Sequence, residues 1–232
     1  GRFAGTVARE CLDNGLHVML FSDNVPLEEE IALKQAAQKK GLLVMGPDCG
    51  TAIINGVPLA FANAVRRGPI GIVAAAGTGL QEVSTLISNM GSGISHAIGT
   101  GGRDVKHDVG GITFLQGLHL LARDTATRVI VLVSKPPHPS VLKKILAACA
   151  KIPKPIVAVF LGGDARVLKG SSVEMCATLE EAAQTAISVV CKRQKMSSDR
   201  AETAMAKSAA ARLKRGDRKS TRLNSSHVSQ DR

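Results

Sequence analysis

At 232 residues the chain has room for one large domain or two modest ones, and its 44% hydrophobic content excludes disorder as the state of the whole. Five Phe with no Trp or Tyr exclude an aromatic base-stacking platform, and no apolar run reaches the ~18 residues of a membrane span. The formal charge of +11 is uneven: residues 1–191 carry 18 Lys+Arg against 15 Asp+Glu, and residues 192–232 carry 12 against 4. The basic excess belongs to the tail and gives no reason to expect a nucleic-acid partner.

In chain order, residues 4–14 read as a helix closed by Gly15, and residues 16–21 as a short apolar strand. Asn24 and Pro26 open the next helix. Its Glu28, Glu29 and Glu30 suit the dipole at the start, and Lys39, Lys40 and Gly41 end it. Residues 42–45 form a strand that runs into Gly46-Pro47-Asp48-Cys49-Gly50. A break near residues 63–68 precedes a second series. There, strands at 70–76, 94–98, 129–133, 156–161 and 173–177 alternate with helices after Gly77, at about 113–122 and at 139–150. Thr178-Leu179-Glu180-Glu181 is a capping box opening a helix to about Cys191. Continuous apolar strands between helices predict an α/β fold with a doubly wound parallel sheet. The expected organisation is part of one domain over 1–65, a complete domain over 66–192 and a basic helical or disordered extension over 193–216. Asp217–His227 reads DRKSTRLNSSH, which is a translation of a common sequencing-library adapter. Residues 217–232 are therefore set aside as an artefact, and the opening Gly1-Arg2-Phe3 reads as a start inside a domain.

Cys11, Cys49, Cys149, Cys176 and Cys191 show no CxxC and no regular spacing, which argues against disulfides and zinc and fits a cytoplasmic protein. His17, His96, His107, His119 and His138 have no metal-ligand spacing, so no metal is expected.

Ligands of open α/β sheets bind at the carboxyl ends of the strands, which here are glycine-rich turns. Gly77-Thr78-Gly79 joins a strand to a helix N-terminus, where free N–H groups and the dipole attract phosphate and Thr78 adds a hydroxyl. It is neither a P-loop nor GxGxxG, and a turn that only helps packing is the alternative. Gly101-Gly102-Arg103 offers exposed backbone and a forked cation for phosphate or carboxylate, against the alternative of a surface Arg–Asp pair. Lys135 ends the strand at 129–133 and could neutralise an anion or simply be solvated. Cys49 has no base or cation beside it in sequence and reads as a buried, inert thiol.

The order of Gly46-Pro47-Asp48-Cys49, Gly71-Ile72-Val73 to Gly77-Thr78, Gly101-Gly102-Arg103-Asp104 and Pro155-Ile156-Val157 to Gly162-Gly163 resembles the α-subunit of succinyl-CoA synthetase over roughly residues 1–190. Ala74-Ala75-Ala76-Gly77-Thr78-Gly79 and Val133-Ser134-Lys135-Pro136-Pro137 are most similar to its FdrA branch. The resemblance implies a CoA-binding Rossmann domain, of which 1–65 is the C-terminal part, followed by a flavodoxin-like ligase domain. It implies that Gly46, Pro47, Asp48 and Cys49 lie near a CoA-type site, that Gly77, Thr78 and Gly79 bind phosphate, and that other subunits complete a hetero-oligomer.

Two departures stand out. The synthetase carries a phosphorylated His in a Gly-His-Ala-Gly loop after the strand matching 156–161, and residues 162–176 here read GGDARVLKGSSVEMC. The Glu that supports that His is replaced by Lys135. A phosphohistidine relay is therefore not expected, and a cation suits a bound phosphate instead. The FdrA branch is associated with purine-ring catabolism as a subunit of an oxamate carbamoyltransferase. That implies a carbamoyl or acyl phosphate as the small-molecule substrate, or CoA as the ligand, with Thr78, Gly101, Gly102, Arg103 and Lys135 at the phosphate. A CoA-ligase subunit, or a non-catalytic CoA- or nucleotide-binding subunit, is the alternative.

Overall fold

The first series is built on short-range signals. In α1 (Ala4–Asp13), Ala8 and Leu12 lie one turn apart and are buried together. Gly15 ends the run at φ +75°. β1 (Val18–Met19) leads into α2 (Leu27–Lys40), which has three Glu in its first turn, two Lys in its last, and Gly41 in the left-handed region as its stop. β2 (Val44–Met45) pairs in parallel with β1 in a two-stranded sheet. Both strands are shorter than the apolar runs that contain them. The computed structural model describes residues 1, 3–164, 168, 170–193 and 195, so the expectations for 193–216 fall almost wholly, and those for 217–232 entirely, outside the described residues.

A hairpin that the reading of the sequence did not anticipate comes next. β3 (Thr51–Ile54) and β4 (Val57–Ala60) turn at Asn55-Gly56, with φ of +52° and +78°. Asn-Gly meets the demand of a two-residue hairpin for positive φ at both central positions.

The main sheet follows. β5 (Arg67–Ala74), β6 (Ile94–Gly99), β7 (Val129–Ser134), β8 (Ile156–Phe160) and β9 (Val173–Cys176) are parallel. They are linked by α3 (Gly77–Asn89), α4 (Ile112–Arg123) and α5 (Pro139–Cys149), and a helix over 179–193 follows β9. The sheet order is β4-β3-β6-β5-β7-β8-β9. Its parallel part is wound in the flavodoxin-like order, second strand first, then the first, third, fourth and fifth. Alternation along β7 divides the core: Ile130 and Leu132 pack with α4 and α5, while Val129, Val131 and Val133 pack with α3 and the last helix. The doubly wound architecture read from the sequence is therefore present. The hairpin enlarges it, because β3 pairs antiparallel with β6 and so joins residues 51–60 to the same sheet. Gly1–Val190 forms one compact unit.

Candidate functional site

β5 is flanked by β6 and β7, with Ala74 opposite both Gly99 and Val133. The turns that follow these three strands therefore meet at one edge of the sheet, at the point where successive connections depart to opposite sides. A cleft of about 780 Å³ opens there, within the range of small-molecule sites. Gly77, Thr78, Gly102, Arg103, Lys106 and Lys135 form one part of its lining. The first series contributes Phe21, Asp23, Pro47 and Asp48.

The floor is the amino end of α3. Helix geometry leaves the N–H groups of Gly77, Thr78 and Gly79 without intrahelical acceptors. Ala76 at the N-cap supplies no side-chain bond, and the first turn holds no acidic residue. The other described helices that start at this edge are served differently. Asp104 accepts from the Thr113 and Phe114 amides of α4 at 3.1 and 2.8 Å, and His138 Nδ1 accepts from the Ser140 amide of α5. Thr178 Oγ1 accepts from the Glu181 amide, and Glu181 Oε2 accepts from the Ala177 amide one residue before the cap. The uncapped α3 end thus keeps its positive end for an anion.

The glycines of the turns divide by geometry. Gly77 and Gly102 are exposed, Gly77 with open space where a Cβ would stand and Gly102 with only the Ala75 carbonyl at 3.8 Å from that point, so a ligand can approach their backbone closely. Gly101, at φ +80°, faces the Pro47 carbonyl, and Gly46, at φ +100°, faces the Leu20 carbonyl. Gly79 packs on Val133, where a Cβ would come within 2.9 Å. These three are needed for close packing and do not line the cleft. Cys49 is also outside the lining. Its buried Sγ sits 3.4 Å from the Gly99 carbonyl, and burial pushes the thiol up, which suits an inert side chain rather than a nucleophile.

Arg103 is not a free cation. Its Nη2 donates to the Val25 carbonyl at 2.8 Å, and its Nε meets Glu30 Oε2 at 2.8 Å in an ion-pair contact that lacks hydrogen-bond alignment. Behind it, Lys34 is fully buried and donates to Glu30 Oε1 at 2.8 Å, Asp104 Oδ1 at 2.7 Å and the Thr100 carbonyl at 3.0 Å. The Gly-Gly-Arg-Asp run is therefore split: Gly101 and Asp104 are structural, while Gly102 and Arg103 reach the cleft. The sequence reading missed Glu30 and Lys34, whose partners lie far along the chain. It also missed Lys106, which the spacing of the Gly-Gly-Arg-Asp-Val-Lys run could have flagged. Lys106 and Lys135 are exposed in the cleft lining. No residue described as lining the cleft is a histidine.

Gln81 ties the hairpin to this edge by donating to Thr51 Oγ1 at 2.9 Å and the Phe61 carbonyl at 3.0 Å. It holds Phe61 against Phe21, their ring centroids 5.2 Å apart. Among the described residues no group of three His, Cys, Asp or Glu side chains is arranged to hold a metal, and no helix is long and apolar enough to cross a membrane.

These features invite comparison with known proteins. Residues 66–162 match the CoA binding domain family. The matched span runs from the edge of β5 to just past β8. YahF of Escherichia coli (strain K12), an uncharacterized protein, is 50% identical over 187 residues, which is 81% of this chain and 36% of YahF. SqwL of an Acholeplasma species, an ADP-forming sulfoacetate–CoA ligase subunit, is 28% identical across 66% of this chain and 53% of its own. Subunit alpha 1 of the ADP-forming succinate–CoA ligase of Archaeoglobus fulgidus is 26% identical across 69% of this chain and 55% of its own. The chain thus spans about half or less of these relatives. The dinucleotide-forming acetyl-coenzyme A synthetase 1 of Ca. Korarchaeum cryptofilum superposes with a TM-score of 0.63 over 78% of this chain and 44% of its own, at 17% identity, and so shares the fold. Both the family match and the relatives agree with the CoA-ligase α-type resemblance read from the turns.

Proposed function

We propose that this chain is the core of a CoA-ligase-type subunit whose cleft binds carbamoyl phosphate or a close acyl phosphate, and that group transfer uses no phosphohistidine on this chain. The observation that carries the reading is the uncapped amino end of α3, which opens into the same cleft as Lys106, Lys135 and the half-exposed Arg103. The amides of Gly77 and Thr78 and the Thr78 hydroxyl, which line the cleft, would take phosphate oxygens. Lys106 and Lys135 would offset the charge that builds on the departing phosphate as the acceptor nitrogen attacks the carbamoyl carbon and its bond to the phosphate oxygen breaks. Gly102 would let the acyl end lie close to the backbone.

A second reading, a CoA-ligase subunit acting on a carboxylic acid, is favoured by the CoA binding domain match and by the ligase relatives. The phosphates of CoA suit the same cationic wall, with Pro47 and Asp48 at its rim. Both readings expect partner subunits, a cytoplasmic setting and residues beyond this chain.

The test is steady-state kinetics of the full-length protein assembled with its partners. Carbamoyl phosphate plus oxamate is compared with ATP, CoA and a carboxylic acid. Thr78→Ala and Lys135→Ala should each lower kcat/KM with carbamoyl phosphate by roughly tenfold to a hundredfold, the loss of one charge-assisted contact. Wild-type kcat/KM in both variants would remove the phosphate site from this cleft. Turnover with ATP, CoA and a carboxylic acid but not with carbamoyl phosphate would select the second reading. Acid-labile label on any His of the chain would restore a covalent relay.

A further inference from the structure

Glu30 has no role in either reading, yet like Asp104 it is a fully buried acid beside the site. Its side chain has no exposure, one oxygen is held by Lys34, and the other faces Arg103 Nε without an aligned hydrogen bond. Buried carboxylates stay charged when paired, and this one stands between two cations. Arg103 is 41% exposed, and its remaining surface lines the cleft. Of five guanidinium N–H donors, one on Nη2 is bonded to the Val25 carbonyl and the one on Nε faces Glu30, and among the described residues the other three have no partner.

We infer that Glu30 is a positioning residue: held in place by Lys34, it fixes the Arg103 guanidinium so that the uncommitted edge of its fork faces an anion in the cleft. The inference rests on the reading of the cleft as an anion site. Lys34 and Asp104 complete the brace. Lys34 spans Glu30 on α2 and Asp104 in the loop after β6, which in turn caps α4, so the clamp ties the first series to that loop. The charges of Glu30, Lys34, Asp104 and Arg103 balance. An arriving anion therefore meets a guanidinium already oriented, and binding need not order a free side chain.

Calorimetric titration of the full chain with inorganic phosphate tests this. Glu30→Gln keeps the size and an acceptor for Lys34 but removes the charge that aligns Arg103. It should weaken phosphate binding about tenfold, as Arg103→Ala should. The double variant should bind no more weakly than Arg103→Ala alone, since both changes remove one fork. Arg103→Lys keeps the charge without the fork and should stay about fivefold weaker than wild type.

A purely structural Glu30 would lower the melting temperature of Glu30→Gln and leave its phosphate affinity within about twofold of wild type, while Arg103→Ala still weakened it. That result overturns the inference and spares the cleft reading. Additive losses in the double variant overturn it equally, and so does full affinity in Arg103→Lys, which is readable even if Glu30→Gln does not fold. Absence of saturable phosphate binding by the wild-type chain removes the cleft reading and the inference together.

Discussion

Lys34→Met should be among the most damaging single substitutions in the molecule. The lysine has no exposure, and its ammonium uses three donors on Glu30, Asp104 and the Thr100 carbonyl, all within 3.0 Å. Met fills most of the volume but leaves two buried carboxylates without their shared cation. Removing one member of a buried ion pair costs about 3–5 kcal/mol. Asp104 keeps two α4 amides and Glu30 keeps Arg103, which places the loss near the lower figure, about 3 kcal/mol. For a unit of this size that is a fall in melting temperature of roughly 6–12 °C. The chain lacks Trp and Tyr, so urea unfolding followed by far-ultraviolet circular dichroism is the suitable assay, with the m-value confirming that the unfolded reference is unchanged. Lys40→Met is the control. Its partner Asp13 is held below the ordinary carboxylate range by the Lys40 hydrogen bond and charge, but the pair is 42% and 62% exposed, and the lysine's other bond is to the Leu12 carbonyl, so the unfolding midpoint should move far less than in Lys34→Met. A loss below about 1 kcal/mol for Lys34→Met at constant m would refute the buried network as a stabilising element.

The adjacent turn glycines should separate cleanly. Gly101→Ala places a Cβ against the Pro47 carbonyl at positive φ and should destabilise by more than about 1 kcal/mol, whereas Gly77→Ala, with open space around it, should unfold within about 0.5 kcal/mol of wild type. With a thiol reagent at pH 8, exposed Cys191 should react first, while Cys49, Cys149 and Cys176, whose thiols burial pushes up, should react on unfolding; rapid labelling of Cys49 in the folded chain would contradict its placement. Burial raises the Cys149 thiol from 9.0 to about 12, so the folded state holds that proton where the unfolded state has lost it, and its contribution is complete below about pH 9 and declines toward pH 12. Stability of the wild type should therefore fall more steeply over that window than stability of Cys149→Ala. Gln81→Ala should release Phe61 from α3 and raise the rate of proteolysis within residues 55–63 without unfolding the sheet.

Much of the fold was legible because its signals are local. Three Glu ahead of two Lys and a Gly placed α2 to within a residue or two, and Thr178 caps the last helix as its spacing requires, although Glu181 returns its bond to the Ala177 amide rather than to that of Thr178. Apolar runs between glycine turns announced a parallel sheet, and from that the meeting of Gly77, Thr78, Gly102, Arg103 and Lys135 at one edge followed without knowledge of any contact. The β3–β4 hairpin carried its own Asn55-Gly56 signal, but its place beside β6 depends on pairing Ile53 with Ala97, which no local pattern encodes. Gly101 and Gly102 are indistinguishable in sequence; packing against Pro47 made one structural and left the other open. Lys34 looked like any lysine on a polar helix until the chain brought Asp104, 70 residues away, to 2.7 Å. Backbone preference and hydrophobic period act over a few residues, so they write themselves into the sequence. Burial of a charge and the commitment of Arg103 to Glu30 arise only when distant segments exclude water from the same space.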